Sequence, residues 1–211
     1  LGVGNGLDAL VICLKSLGVG PGDEVIVPAN TFVATALAVS FVGAKIVLVD
    51  PDPRTFNIRA VSIEEKITSK TKAIIPVHLY GQACEMGPIM DLARKHQIFV
   101  VEDNAQAQGA FFQETMTGAW GDINATSFYP GKNLGAMGDA GAITSDSDEL
   151  IQLAKMYRNY GAEKKYHHLV LGQNSRLDEI QAAVLAVKLK HLNQAIQSRR
   201  TVAAFYDEHL Q

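Results

Sequence analysis

T-S-F-Y-P-G-K-N-L-G-A-M-G-D-A-G, Thr126 to Gly141, follows a β-prone run from Ile123 to Tyr129 and holds a single lysine, Lys132. Pro130, Gly131, Gly135, Gly138 and Gly141 crowd this lysine. Glycines permit left-handed backbone and close approach of a ligand or another segment. Ser127 stands five positions earlier and brings a hydroxyl to the same turn. An amine beside a hydroxyl and free backbone N–H groups suits a Schiff-base lysine next to a phosphate. On these residues alone, a Gly-rich surface loop with an incidental lysine is the plainer alternative.

The stretch just upstream sharpens the reading. Ile98 to Val101 has the character of a buried strand and runs into Glu102 and Asp103. In open α/β sheets, ligands bind beyond the carboxyl ends of the strands. A carboxylate there can pair with a protonated ring nitrogen, the partner that pyridoxal phosphate (PLP) needs to act as an electron sink. Read alone, Asp103 is also a good turn or helix-capping acid.

Further out, strand-like and helix-like segments alternate along most of the chain. That pattern predicts an α/β domain with a mostly parallel sheet covered by helices. Gly2-Val3-Gly4-Asn5-Gly6 opens an amphipathic helix carrying Leu7, Leu10, Val11, Leu14 and Leu17 at helical spacing. A dinucleotide fingerprint beginning at Gly2 would need glycine where Leu7 stands, so the pattern is broken. What remains is a helix N-terminus with free N–H groups, a good phosphate seat. Glu24 to Val27, Lys45 to Val49 and Ala73 to Val77 are predicted as strands, and Met86 to His96 as a helix. Thr31 is the expected cap of a helix over Phe32 to Val42, and Ser62 to Glu65 reads as a capping box. Ser175 and Asp178 are expected caps of a long helix. The polar stretch from Tyr160 to Asn174, with Lys164, Lys165, His167 and His168, is expected to be a mobile loop near the site mouth. His78 and Tyr80 follow a strand and are read as structural.

The 211 residues are 47% hydrophobic and 19% charged, with net charge −3, an ordinary globular balance. No basic stripe points to nucleic acid. No apolar run reaches the roughly 18 residues of a membrane helix, and no metal-ligand spacing is present. Two distant cysteines, Cys13 and Cys84, fit reduced thiols and a cytoplasmic setting.

The chain resembles the sugar aminotransferases of the DegT/DnrJ/EryC1/StrS family, a branch of the fold-type I PLP enzymes. The residues carrying the resemblance include N-G-L-D-A-L (Asn5 to Leu10), P-G-D-E-V-I-V-P-A-N-T-F-V-A-T (Pro21 to Thr35) and P-V-H-L-Y-G-Q (Pro76 to Gln82). V-E-D-N-A-Q-A-Q-G-A (Val101 to Ala110), Ser127 to Ala142 and N-S-R-L-D-E-I-Q-A-A (Asn174 to Ala183) complete it, in family order and over nearly the whole chain.

The resemblance implies that residues 1–211 are the PLP-binding large domain, with an N-terminal segment and a small C-terminal domain lying outside this chain. It implies that Lys132 carries PLP, that Asp103 pairs with the pyridinium, and that Gly6, Leu7, Asp8 and Ser127 hold the phosphate. Phe32 would stack on the ring and Gln106 would hydrogen-bond its oxygen. Asn174 would reach the phosphate of a neighbouring subunit, which implies a homodimer with shared sites. Leu7, Gln108 and Gln173 depart from the common pattern, where Thr or Ser, His, and an aromatic are usual. The implied reaction moves an amino group, with glutamate as donor, to a nucleotide-linked keto sugar of the dTDP-3-keto-6-deoxyhexose type. The alternatives are a 4-aminotransferase acting on a UDP- or GDP-4-keto sugar and a non-catalytic domain of the same fold. A sugar dehydratase of this fold has histidine in place of the lysine, and Lys132 argues against it.

Overall fold

The computed structural model describes residues 1–210. Among the described residues, eleven strands and seven α-helices follow one another. The strands are β1 (Gly2–Val3), β2 (Glu24–Pro28), β3 (Lys45–Val49), β4 (Thr71–Ile74), β5 (Phe99–Asp103), β6 (Phe111–Phe112), β7 (Thr115–Met116), β8 (Ile123–Ser127), β9 (Gly141–Thr144), β10 (Ala162–Lys164) and β11 (His167–His168). The helices are α1 (Gly6–Ser16), α2 (Val33–Phe41), α3 (Ala60–Glu64), α4 (Met86–His96), α5 (Asp148–Tyr157), α6 (Glu179–Leu189) and α7 (Leu192–His209).

Seven strands form one sheet in the order β1-β9-β8-β5-β4-β2-β3. The pairs β2–β3, β2–β4, β4–β5 and β5–β8 are parallel, whereas β8–β9 and β1–β9 are antiparallel. The sheet is therefore mostly parallel, as the alternating pattern predicts. The period of two along each strand divides the core. Val25, Val27, Ala73, Ile75 and Val101 face α1, α2 and α5, while Ile26, Ile74 and Val100 face α3 and α4. Each fully buried valine or isoleucine side chain contributes about 1.5–3 kcal/mol on transfer from water. The division also settles a point of function: Asp103 lies on the face of Val101, and Glu102 on the face of Val100.

Local signals explain a few helix ends. The Asn5 side chain accepts from Asp8 N at 2.8 Å and caps α1. The Ser147 hydroxyl caps α5 by accepting from Leu150 N. Helix α4 ends at Gln97, whose φ of 56° is the left-handed geometry of a helix C-cap.

Several expectations need correction. Thr31 does not cap α2; its hydroxyl lies 2.8 Å from that of Thr35, and Phe32 takes the cap position without a side-chain bond. Phe32 is thus outside the first turn. Ser62 lies inside α3, which starts after Arg59, so the capping box does not form. Strand β4 covers Thr71–Ile74 and not Ala73 to Val77, because Pro76 cannot donate to a ladder. Val77 still bridges to Asp103 in parallel. The Ser175 hydroxyl accepts from Gly4 N at 3.0 Å and caps nothing, and Asp178 holds the cap position of α6 without a side-chain bond. Tyr160 to Asn174 contains the hairpin β10–β11.

Cys13 and Cys84 are free and buried. Among the described residues, no helix is long and apolar enough to cross a membrane and no cluster of metal-ligating side chains occurs.

Candidate active site

A cavity of about 600 Å³ opens where the amino ends of α1 and α2 meet the carboxyl end of β5. Gly6, Leu7, Phe32, Asp103, Gln106, Ser127 and Lys132 all line it. Residues from four separate stretches of the chain thus converge at the edge where open α/β sheets bind ligands.

Asp103 ends β5 and is only 6% exposed. Its Oδ2 accepts from Thr35 Oγ1 at 2.8 Å and its Oδ1 from Ala105 N at 3.1 Å. Burial pushes its carboxyl above the usual range, opposed by those two donors and by the charge of Lys132. Among the described residues it forms no ion pair. A buried acid on a cavity wall, already aligned by two donors, is suited to a cationic N–H from a ligand.

Lys132 sits in a turn closed by its own N–H on Tyr129 O at 2.8 Å and by Ala136 N on Phe128 O at 2.7 Å. The glycines serve this turn: a Cβ at Gly135 would run into the carbonyl of Pro130. Lys132 is half-buried and, among the described residues, pairs with no carboxylate. Lys132 lines the cavity, and among the described residues its amine has no hydrogen-bond partner.

Across the cavity, α1 presents its N-terminus. Among the described residues, the N–H groups of Gly6 and Leu7 have no protein acceptor. Asp8 N is already taken by Asn5, and Asp8 does not line the cavity. The groups free to meet an anion here are therefore fewer than the sequence implies: two amides and the Ser127 hydroxyl. A Cβ at Gly6 would lie 2.6 Å from Ser127 Cβ, so only glycine lets helix and serine approach this closely.

Gln106 Oε1 accepts from Tyr80 N at 2.6 Å, which leaves its NH₂ as the group able to donate to a ligand. Phe32 is 69% exposed and offers a flat apolar wall. Asn174 is exposed, bridges to Asn159 and stands apart from this cavity. Two lining residues escape a sequence reading. Thr35 holds Asp103, and Asp139 adds an acid to the wall. Nothing local distinguishes Thr35 from any other helix threonine; only the fold brings it to Asp103.

The donor set fits a flat, cationic-ring phosphate. It offers a buried acid for the ring N–H, an amide for a ring oxygen, an apolar face, a free amine, and two amides with a hydroxyl for the phosphate.

A mostly parallel, helix-covered sheet with this cavity at the carboxyl ends of its strands places the chain among the open-sheet α/β ligand-binding domains. The chain belongs to the DegT/DnrJ/EryC1/StrS aminotransferase family, whose model matches residues 1–211. It is 54% identical over 210 residues to dTDP-3-amino-3,6-dideoxy-alpha-D-galactopyranose transaminase of Aneurinibacillus thermoaerophilus, covering 100% of this chain and 58% of that protein. DesV of S. venezuelae, solved in complex with a ketimine intermediate, superposes with a TM-score of 0.95 at 47% identity, covering 98% of this chain and 56% of that one. NtdA of Bacillus subtilis, solved with bound cofactor PMP, gives a TM-score of 0.86 at 39% identity, covering 91% of this chain and 44% of that one. The chain spans a little over half the length of the curated relatives it matches.

Proposed function

We propose that this chain is the cofactor-binding part of a PLP-dependent aminotransferase that acts on a nucleotide-linked keto sugar. The observation that carries this reading is the placement of Lys132 and Asp103 on the walls of one cavity, with the α1 N-terminus on a third. Membership of the family and the names of the relatives support it.

When bound, PLP supplies an electron sink for the carbanion of the amino donor. The protein supplies the rest. Lys132 Nζ would hold the cofactor and would be the base that takes the proton from the donor's Cα. Asp103 keeps the ring nitrogen protonated, so charge spreads away from the reacting carbon. Gly6 N, Leu7 N and Ser127 Oγ anchor the phosphate, which holds the ring still between the two half-reactions. The Gln106 NH₂ donates to the ring oxygen, and Phe32 covers one face and excludes water.

Glutamate is the proposed donor and a dTDP-3-keto-6-deoxyhexose the proposed acceptor. A cytoplasmic homodimer, with Asn174 completing the neighbouring site, is the proposed assembly. Borohydride reduction of the PLP-loaded protein followed by peptide mass mapping tests the central assignment. A pyridoxyl group on Lys132 is the expected result; its absence there removes the function.

A further inference from the structure

Behind Asp103, on the opposite face of the sheet, lies a second buried acid that the chemistry above does not use. Glu102 is fully buried, and its carboxylate collects four donors. Trp120 N and Gly121 N reach Oε1 at 2.6 and 2.9 Å, while Gly118 N and His78 Nε2 each reach Oε2 at 2.8 Å. His78 is equally buried. Cys84 N donates to His78 Nδ1 at 3.0 Å, so the ring proton sits on Nε2 and points at Glu102. His78 also holds the neighbouring acid through its main chain: His78 N donates to Asp103 O at 3.2 Å, and Asp103 N donates to Pro76 O at 2.9 Å. One residue thus grips both members of the Glu102–Asp103 pair, one with its ring and one with its backbone. Strand β4 has already ended at Ile74, and these two backbone bonds form the isolated parallel bridge between Val77 and Asp103 that carries the pairing on to the acid.

We propose that His78 and Glu102 are positioning residues for Asp103, setting how its carboxylate meets the ring nitrogen of the cofactor. The inference rests on the PLP reading. Burying an ionised carboxylate is costly, and keeping one here requires every donor to be in place. Glu102 is so placed. Burial raises its carboxyl, but His78 and the backbone amides outweigh burial and hold it below the usual range. Glutamine cannot substitute at this position, because its NH₂ would face donors on either side.

The test uses two substitutions at His78 in the full-length, PLP-loaded protein. His78→Gln places an NH₂ where Nε2 stands and keeps the donor to Glu102. His78→Asn keeps only an acceptor near Cys84 N. The readouts are the equilibrium affinity for PLP and the position of the bound cofactor's absorption band at fixed pH, with cooperative unfolding as control. His78→Asn is expected to weaken PLP binding about tenfold or more and to move the band, while His78→Gln stays within about threefold of wild type with its band in place. Equal behaviour of the two variants would mean that His78 only fills space, and would overturn the proposal. If His78→Asn does not fold, His78→Met, similar in length but without a donor, takes its place: a band that moves beside an unmoved His78→Gln band supports the proposal, and equal bands refute it. Wild-type protein that takes up no PLP on Lys132 would instead overturn the cofactor reading.

Discussion

Thr35 Oγ1 donates to Asp103 Oδ2 at 2.8 Å across 68 positions of sequence, and both residues are buried. The bond joins the first turns of α2 to the end of β5 and aims the acid at the cavity. Thr35→Val keeps the shape and removes the donor. Losing a bond to the charged form raises the carboxyl further and weakens its hold on a ring N–H. A loss of about 1.5–3 kcal/mol, or roughly ten- to a hundredfold in PLP affinity, is expected by spectroscopic titration.

Lys132→Ala removes an amine that makes no ion pair among the described residues. Turnover and the pyridoxyl adduct should both disappear, while unfolding free energy stays within about 0.5 kcal/mol of wild type. Normal activity in this variant would refute the catalytic role.

Gly6→Ala puts a methyl group 2.6 Å from Ser127 Cβ. Overpacking of this kind costs about 1–3 kcal/mol. The variant should lose stability by that amount in chemical denaturation and should also bind inorganic phosphate and PLP more weakly, because helix and serine are pushed apart.

Asp103 gives a pH signature with a defined sign. Its folded carboxyl is raised by burial, so it holds its proton more tightly folded than unfolded. That contribution is fully present below the unfolded value of about 3.9 and is lost as pH rises through the higher folded value. Glu102 is depressed and runs the other way, its contribution being lost as pH falls. The informative quantity is therefore the unfolding free energy of the cofactor-free wild type minus that of Asp103→Asn. It should fall with rising pH from about 4 upward; a flat difference would show that Asp103 is not raised. The same variant, once loaded, should lose most of its turnover.

Burial pushes the Cys84 thiol up to about 12 and raises Cys13 further still. Neither is expected to react with a thiol reagent in the native protein, and both should react once it is denatured. Rapid labelling of either thiol without unfolding would contradict the packing described above.

The elements most legible in the sequence are those with a local cause. Helix α4 falls on Met86–His96 as its periodicity predicts, and the lysine turn is announced by its glycines. Caps are less readable. Ser62 and Thr31 have the right chemistry, but tertiary contacts move each helix start elsewhere. Strand β1 has two residues and no pattern; it exists only because β9, some 140 positions later, offers an edge. The same limit applies to the site. Lys132 and Asp103 announce themselves by context, whereas Thr35 and the His78–Glu102 pair are meaningful only after the sheet has assembled.

Gly141 begins the strand that returns from the lysine turn, and a side chain there would meet the Asn5 carbonyl 2.6 Å away. The segment returning from the Lys132 turn and the residue that caps α1 are consequently pressed against each other with no atom to spare. On the proposed function, any bulk added at that seam would change the span between amine and anion, so the absence of a single methyl group would gauge that distance.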